Sequence, residues 1–235
     1  MRKAAQAMCL MVVLGLMVIG CGKKSGLEGK VVDGKGNPIA GVKIVAKQVP
    51  PIIKGYEQFE ATTGADGMFK FSDLYPASVY VLWPWMQDTK FSVISQSGHK
   101  GETVILPKPF AIRFAPIKDG IIIKDSMTGL QWMPDRGRKD ITWDEAQAYV
   151  QGLKTGGFSD WRLPTRAELK SLYDPSITAE YKIDPMFQLS ACCPWTGELG
   201  DSSSARPFDF SSGYEYSNNR SYSSRSRVLA VRSPR

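Results

Sequence analysis

The sequence predicts two domains behind an export signal, an all-β sandwich followed by an α+β domain. Three observations carry this prediction. Between residues 27 and 109, short runs of alternating apolar and polar residues are separated by glycine-containing turns, with no helical period. Between residues 110 and 235, two capping boxes each open an amphipathic stretch. Ahead of both, a short apolar run closes on Cys21.

The leader comes first. Arg2 and Lys3 precede an apolar run from Met8 to Ile19 that is interrupted by Gly15. A helix that crosses a bilayer needs about 20 apolar residues. The shorter run therefore reads as the h-region of a signal peptide over residues 1–20. Its end, Val18-Ile19-Gly20-Cys21, resembles the lipobox of bacterial lipoproteins. That resemblance implies cleavage before Cys21 and acylation of the new terminus, with membrane lipid as the partner and residues 21–26 as a flexible tether. Each buried methylene contributes about 0.8 kcal/mol, so several acyl chains hold firmly where one holds weakly. Gly22 follows the cysteine where an aspartate would signal retention. By analogy with lipoprotein sorting, this favours the outer membrane of the cell envelope.

Composition narrows the function classes. The formal net charge is +7, and Arg2 and Lys3 belong to the leader. The remaining excess is spread out, without a long block of like charge, which argues against a nucleic-acid partner. His99 is the single histidine. A catalytic triad would depend on it, and a zinc site with two histidines is impossible. No phosphate-cradling glycine loop or calcium loop is visible, so no cofactor is expected. Cys9 and Cys21 are assigned to the leader and the lipid, which leaves Cys192 and Cys193.

In the first domain, strands are expected at Glu28–Asp33, Val42–Ala46, Met68–Phe71, Ser78–Leu82 and Glu102–Leu106. Gly34–Pro38 makes a turn, and so does Thr62–Gly67, where Asp66-Gly67 supplies the positive φ of a hairpin. Val49 to Glu60, with Pro50-Pro51, reads as a loop. Trp83-Pro84-Trp85 is either a binding platform or a cap on the sandwich edge or towards the second domain. The spacing Gly29-x-Val31-x-Asp33-x-x-Gly36-x-Pro38-x-x-Gly41-Val42, then Thr63-x-x-Asp66-Gly67-x-Phe69-x-Phe71, Leu74-x-Pro76 and Tyr80, is similar to carboxypeptidase regulatory-like, transthyretin-like domains. That likeness implies a non-catalytic spacer or accessory module.

In the second domain, Phe110–Pro116 is an entry strand or linker. Strands follow at Lys118–Asp125 and Leu130–Met133. Thr142 with Glu145, and Thr165 with Glu168, are the two capping boxes. Ala146, Tyr149, Val150 and Leu153 give the first helix its apolar face, and Gly156-Gly157 is expected to end it. Leu169, Leu172 and Tyr173 serve the second helix, which Pro175 stops. Arg227–Arg232 closes the domain as a strand. Two helices on a loop-rich sheet make an α+β domain.

A run of motifs here resembles the Lcl C-terminal-domain-like family. They are Asp119-Gly120, Asp125-x-x-Thr128-Gly129-Leu130-x-Trp132, Trp143-x-x-Ala146, Gly157-Phe158-x-Asp160-Trp161-Arg162-Leu163-Pro164-Thr165-x-x-Glu168-Leu169, Trp195-Thr196 and Val231-Arg232. The resemblance implies a surface-exposed, C-type-lectin-like fold, with adhesion or the binding of polyanionic glycans as its activity and no catalysis. Trp161 to Thr165 also resembles the formylglycine-generating, sulfatase-modifying enzymes. The alternative is therefore an envelope enzyme or enzyme accessory that uses Cys192 and Cys193. Pro234 departs from the family's closing strand, because proline cannot donate to a sheet.

Two candidate sites follow. Cys192 and Cys193 form a local ring, stay as free thiols, or bridge to another chain. A local disulfide is favoured over a metal site, because two thiolates without histidine make an incomplete ligand set. In the tail, Arg206, Arg220, Arg225, Arg227, Arg232 and Arg235 face only Asp209 and Glu215, with Tyr214, Tyr216 and Tyr222 among them. Guanidinium forks suit sulfate or carboxylate, and aromatic faces suit sugar rings. Arg220, Arg225, Arg227 and the three tyrosines are therefore the candidate ligand-binding residues, for an acidic polysaccharide or another envelope protein. If their stretch is a strand, Arg225 and Arg227 share a face. Arg162 is expected to pair with Asp160 or Glu168.

The leader generates the first prediction. Cells fed an acyl-chain analogue should label the wild-type chain and fail to label Cys21→Ser. Equal labelling of the two would remove the lipid anchor.

Overall fold

The computed structural model describes residues 24–85, 92–137 and 139–234. The leader, Cys21 and Arg235 lie outside the described residues. The fold is mostly β, with several sheets and two α-helices among the described residues. It divides into two compact units, one running to Ala111 and the other starting at Ile112.

The first unit contains β1 (Ser25–Asp33), β2 (Lys43–Gln48), β3 (Gln58–Thr62), β4 (Met68–Leu74), β5 (Val79–Pro84), β6 (Val93–Gln96), β7 (Thr103–Ile105) and β8 (Phe110–Ile112). One sheet has the order β4-β1-β7, with β8 also on β1, and the other has the order β3-β2-β5-β6. Alternation decides which faces are buried. Phe69 and Phe71 of β4 are buried while Lys70 between them is exposed, and Tyr80 and Leu82 of β5 repeat the pattern. Gly67 shows why the hairpin needs glycine. Its φ is +74°, and a Cβ there would lie 2.5 Å from the carbonyl oxygen of Val31. Two strands go beyond the sequence reading. β3 begins inside the stretch expected to be loop, and β6 carries no apolar alternation. Both are edge strands with no fully buried residue, so a hydrophobic pattern does not mark them. Trp83 is half-buried and Trp85 is exposed.

The second unit contains β9 (Phe114–Ile117), β10 (Ile122–Asp125), β11 (Gln131–Trp132), α1 (Trp143–Gly152) and α2 (Arg166–Leu172). It continues with β12 (Cys193–Leu199), β13 (Ser204–Asp209), β14 (Tyr214–Glu215), β15 (Asn218–Asn219), β16 (Ser226–Arg227) and β17 (Val231–Arg232). One sheet is ordered β17-β11-β10-β9 and the other β14-β13-β12-β16, with β15 also on β13. Successive strand residues face opposite ways. Ile122 accordingly packs with Trp143, Val150, Trp161 and Trp195, while Ile123 packs with Trp132, Leu169, Phe187 and Phe208. The closing segment alternates likewise, Val228 and Ala230 joining the first cluster and Leu229 and Val231 the second.

Three local expectations are corrected. The strand expected from Lys118 starts only at Ile122, because Lys118, Asp119 and Gly120 all take positive φ and form a turn. α1 ends at Gly152 with Leu153 as its cap, so Gly156-Gly157 lies beyond it, in a separate short 3-10 turn. The closing strand splits into β16 and β17, with a buried connection between them.

The Asp160–Thr165 run has a residue-by-residue account. Asp160 accepts two hydrogen bonds from Arg232, at 2.7 and 3.1 Å. Trp161 and Leu163 enter the core. The Arg162 backbone pairs with Val231, and its guanidinium forks onto Glu168 at 2.6 and 2.7 Å. Thr165 caps α2, and Glu168 completes the capping box. Burial opposes ionisation of Glu168, but Arg162 and Thr165 outweigh it and hold its carboxyl below the usual range.

Thr165→Ala should cost about 0.5–2 kcal/mol in denaturant melts, the usual worth of a hydroxyl N-cap. A neutral result would remove the cap assignment. The folded pKa of Glu168 is depressed, so its share of stability is present above the unfolded value of about 4.3 and is lost as pH falls through the folded one.

Candidate functional site

The candidate residues lie after β13. The chain turns at Ser211–Gly213, where Gly213 donates to the Asp209 carbonyl at 2.7 Å, and enters β14. Asp209 pairs with Tyr214 across that turn. Tyr214 and Tyr216 project from the same face. Their rings are near parallel, 14° apart, with centroids separated by 6.4 Å. Tyr214 is 67% exposed and Tyr222 is 45% exposed. Tyr216 is half-buried. Burial raises its hydroxyl pKa, with Asp209 and Tyr222 adding to the rise and Arg225 opposing it. Asp209, Tyr222 and Arg225 therefore all act on the Tyr216 hydroxyl.

Arg225 completes this group. It has a φ of +58° and precedes β16, which starts at Ser226. Its guanidinium lies 3.4 Å from Glu180. Hydrogen bonding to Tyr181, with the nearby Glu180 and Asp209, holds the guanidinium pKa above its ordinary value. Tyr214, Tyr222 and Arg225 are thus exposed, Tyr214 beside the half-buried Tyr216 and Arg225 beside Glu180 and Tyr181.

Arg220, Arg227 and Arg232 are paired with acids from distant segments. The Arg220 guanidinium sits 4.7 Å from the Trp143 ring centroid and pairs with Asp144. The Arg227 side chain is only 11% exposed. It pairs with Asp140, donates to Ser190 Oγ at 2.8 Å and lies 3.6 Å from the fully buried Asp135. Ser190 in turn donates its backbone N–H to Asp135 at 2.7 Å. Arg232 lies 3.6 Å over Phe158 and binds Asp160 and Gln131. The expected patch of Arg220, Arg225 and Arg227 is therefore corrected. β16 starts at Ser226, so Arg225 and Arg227 do not share a strand face, and Arg220 and Arg227 are bound to carboxylates from distant segments. Glu180 and Tyr181 reach this group from a distant segment, and nothing local in the sequence ties them to the tyrosines.

Cys192 and Cys193 are joined by a disulfide and are both buried. Cys192 accepts from the Phe210 N–H at 2.9 Å, and Cys193 pairs with Ser226. A separate cavity of about 630 Å³ is lined by Asp135, Arg136, Lys139, Asp140, Glu145 and Tyr149 among others. Its acids are largely committed, Asp140 to Arg227 and Glu145 to the cap of α1.

Arg227→Ala should destabilise the fold by about 3–5 kcal/mol, because it removes a buried guanidinium that pairs with Asp140 and lies beside the buried Asp135. Arg225→Ala should stay within about 0.5 kcal/mol, as exposed substitutions do. Thermal melts of the two variants check this, and equal effects would undo the distinction.

No curated protein matches the chain. Solved structures with partial likeness include the major pilin subunit BcpA of Bacillus cereus, with 14% identity and a TM-score of 0.29 over 38% of this chain and 29% of that one. A DUF3823 family protein from Bacteroides ovatus gives 15% identity and a TM-score of 0.28 over 47% of this chain and 56% of that one. The streptococcal ancillary pilin gives 19% identity and a TM-score of 0.29 over 39% of this chain and 30% of that one. The chain thus spans less than two thirds of each of these structures. The model of the Lcl C-terminal domain family matches residues 121–232, just under half of the chain and most of its second unit.

Proposed function

We propose that this chain is a cell-envelope lipoprotein, anchored through lipid on Cys21 in the outer membrane, whose second unit binds carbohydrate without catalysis. In this reading the first unit is a carboxypeptidase regulatory-like spacer and the second a C-type-lectin-like module. The convergence of Tyr214, Tyr216, Tyr222 and Arg225 on one exposed surface carries the proposal. Tyrosine faces receive the apolar side of a sugar ring, and a guanidinium fork receives a carboxylate or sulfate. The Lcl C-terminal domain match to the second unit supports it.

The internal pairing of Arg220, Arg227 and Arg232 refines the ligand. Of Arg220, Arg225, Arg227 and Arg232, Arg225 is the one whose side chain stays mostly exposed. An acidic sugar held by stacking and one guanidinium fits this better than a polyanion held by a line of charges. Binding should therefore weaken only moderately as salt rises, since screening acts mainly on the exposed charge.

Retention of the full chain on immobilised heparin and on a neutral polysaccharide tests the proposal. The triple variant Tyr214→Ala, Tyr222→Ala and Arg225→Ala should lose retention while its melting temperature stays near that of the wild type. Undiminished retention by a folded triple variant would rule out this surface.

A further inference from the structure

The vicinal disulfide lies beside an acid. The sulfurs of Cys192 and Cys193 and a carboxylate oxygen of Asp209 all fall within 4.8 Å of one another. We propose that reduction of the Cys192–Cys193 bond turns these three residues into a binding site for a soft divalent cation, zinc being its biological member.

The distances suit this. Zinc sits about 2.3 Å from sulfur and 2.0–2.2 Å from oxygen, so its tetrahedral ligands lie roughly 3.5–3.8 Å apart. In the oxidised chain the two sulfurs are bonded to each other and carry no thiolate, so the site is closed to metal. Reduction lets them separate into the ligand spacing. Two thiolates and one carboxylate fill three positions, and water takes the fourth. Thiolate donors select zinc and its softer relatives over magnesium or calcium.

The ligand backbones are already held in place. The Phe210 N–H to Cys192 carbonyl bond, 2.9 Å long, ties the residue after Asp209 to the cysteine pair. Cys193 is fixed by its pairing with Ser226. Asp209 ends β13 and accepts from the Ser211 N–H at 2.7 Å. Supporting hydrogen bonds of this kind orient metal-binding carboxylates. The cysteines are buried while Asp209 is half-exposed, so the ion would enter from the Asp209 side.

The redox step needs a dithiol reductant. Its thiolate attacks one cysteine sulfur, forming a mixed disulfide and releasing the other cysteine as a thiolate. Its second thiol then displaces the mixed bond. The reductant leaves as a disulfide, and two electrons and two protons pass to the cysteine pair. Binding one divalent cation then releases the two thiol protons. This site adjoins the proposed sugar surface, since Asp209 also acts on Tyr216 and Arg225, but its three ligands are not the groups proposed to hold the sugar.

The test uses the full chain carrying Cys9→Ser and Cys21→Ser, so that only the pair offers thiols. The chain is reduced with a dithiol, desalted without oxygen and titrated with cadmium while the thiolate-to-metal charge-transfer band is followed. One equivalent should bind to the reduced chain and none to the oxidised chain. Asp209→Asn should weaken binding by about 10–100-fold or more, the loss that follows removal even of a supporting group. No charge-transfer band in the reduced chain, or full affinity in Asp209→Asn, would overturn the proposal. Loss of the near-ultraviolet circular dichroism on reduction would overturn it too, because the site requires a folded reduced chain.

Discussion

The second unit depends on arginines that find their carboxylates far along the chain. Arg227 is the central case. Its buried guanidinium meets Asp140, Ser190 and Asp135, and so joins β16 to the segments before α1 and before β12. A buried carboxylate such as Asp135 is costly without a partner. The Arg227 contact therefore fixes where the irregular segments lie. Arg113 plays the same part at the entry strand, forking onto the fully buried Asp125 at 2.7 and 3.0 Å. Burial opposes ionisation of Asp125, but Arg113 and Thr128 outweigh it and hold the carboxyl below its usual range.

This division of labour separates binding from folding. An arginine neutralised inside the fold adds nothing to the outer field. Near the exposed Tyr214 and Tyr222, Arg225 keeps most of its side chain in solvent, with Glu180 beside it.

The sequence makes some of this legible and hides the rest for a physical reason. Both capping boxes are local, three residues across, and the Thr142–Glu145 and Thr165–Glu168 contacts are present. The apolar face of Ala146, Val150 and Leu153 is equally local and is buried. The arginine partners are not local. Arg225 meets Glu180 at a separation of 45 residues, Arg232 meets Asp160 at 72, Arg220 meets Asp144 at 76 and Arg227 meets Asp140 at 87. Counting charges within the tail therefore shows an excess that the fold cancels. The tyrosines are legible as candidates because their spacing sets their face, whereas Glu180 and Tyr181 arrive beside Arg225 only through tertiary structure. β3 and β6 escape notice because edge strands bury too little to impose a pattern.

β17 also sets the order in which the second unit can be completed. It pairs with β11 across 101 residues and bridges Arg162 as well. Until Val231 and Arg232 have left the ribosome, β11 has an open edge and the Leu229–Val231 side of the core is empty. Contacts of such long separation form late, since the loop they close must first be ordered. The second unit therefore stays unfinished until its closing strand has been made.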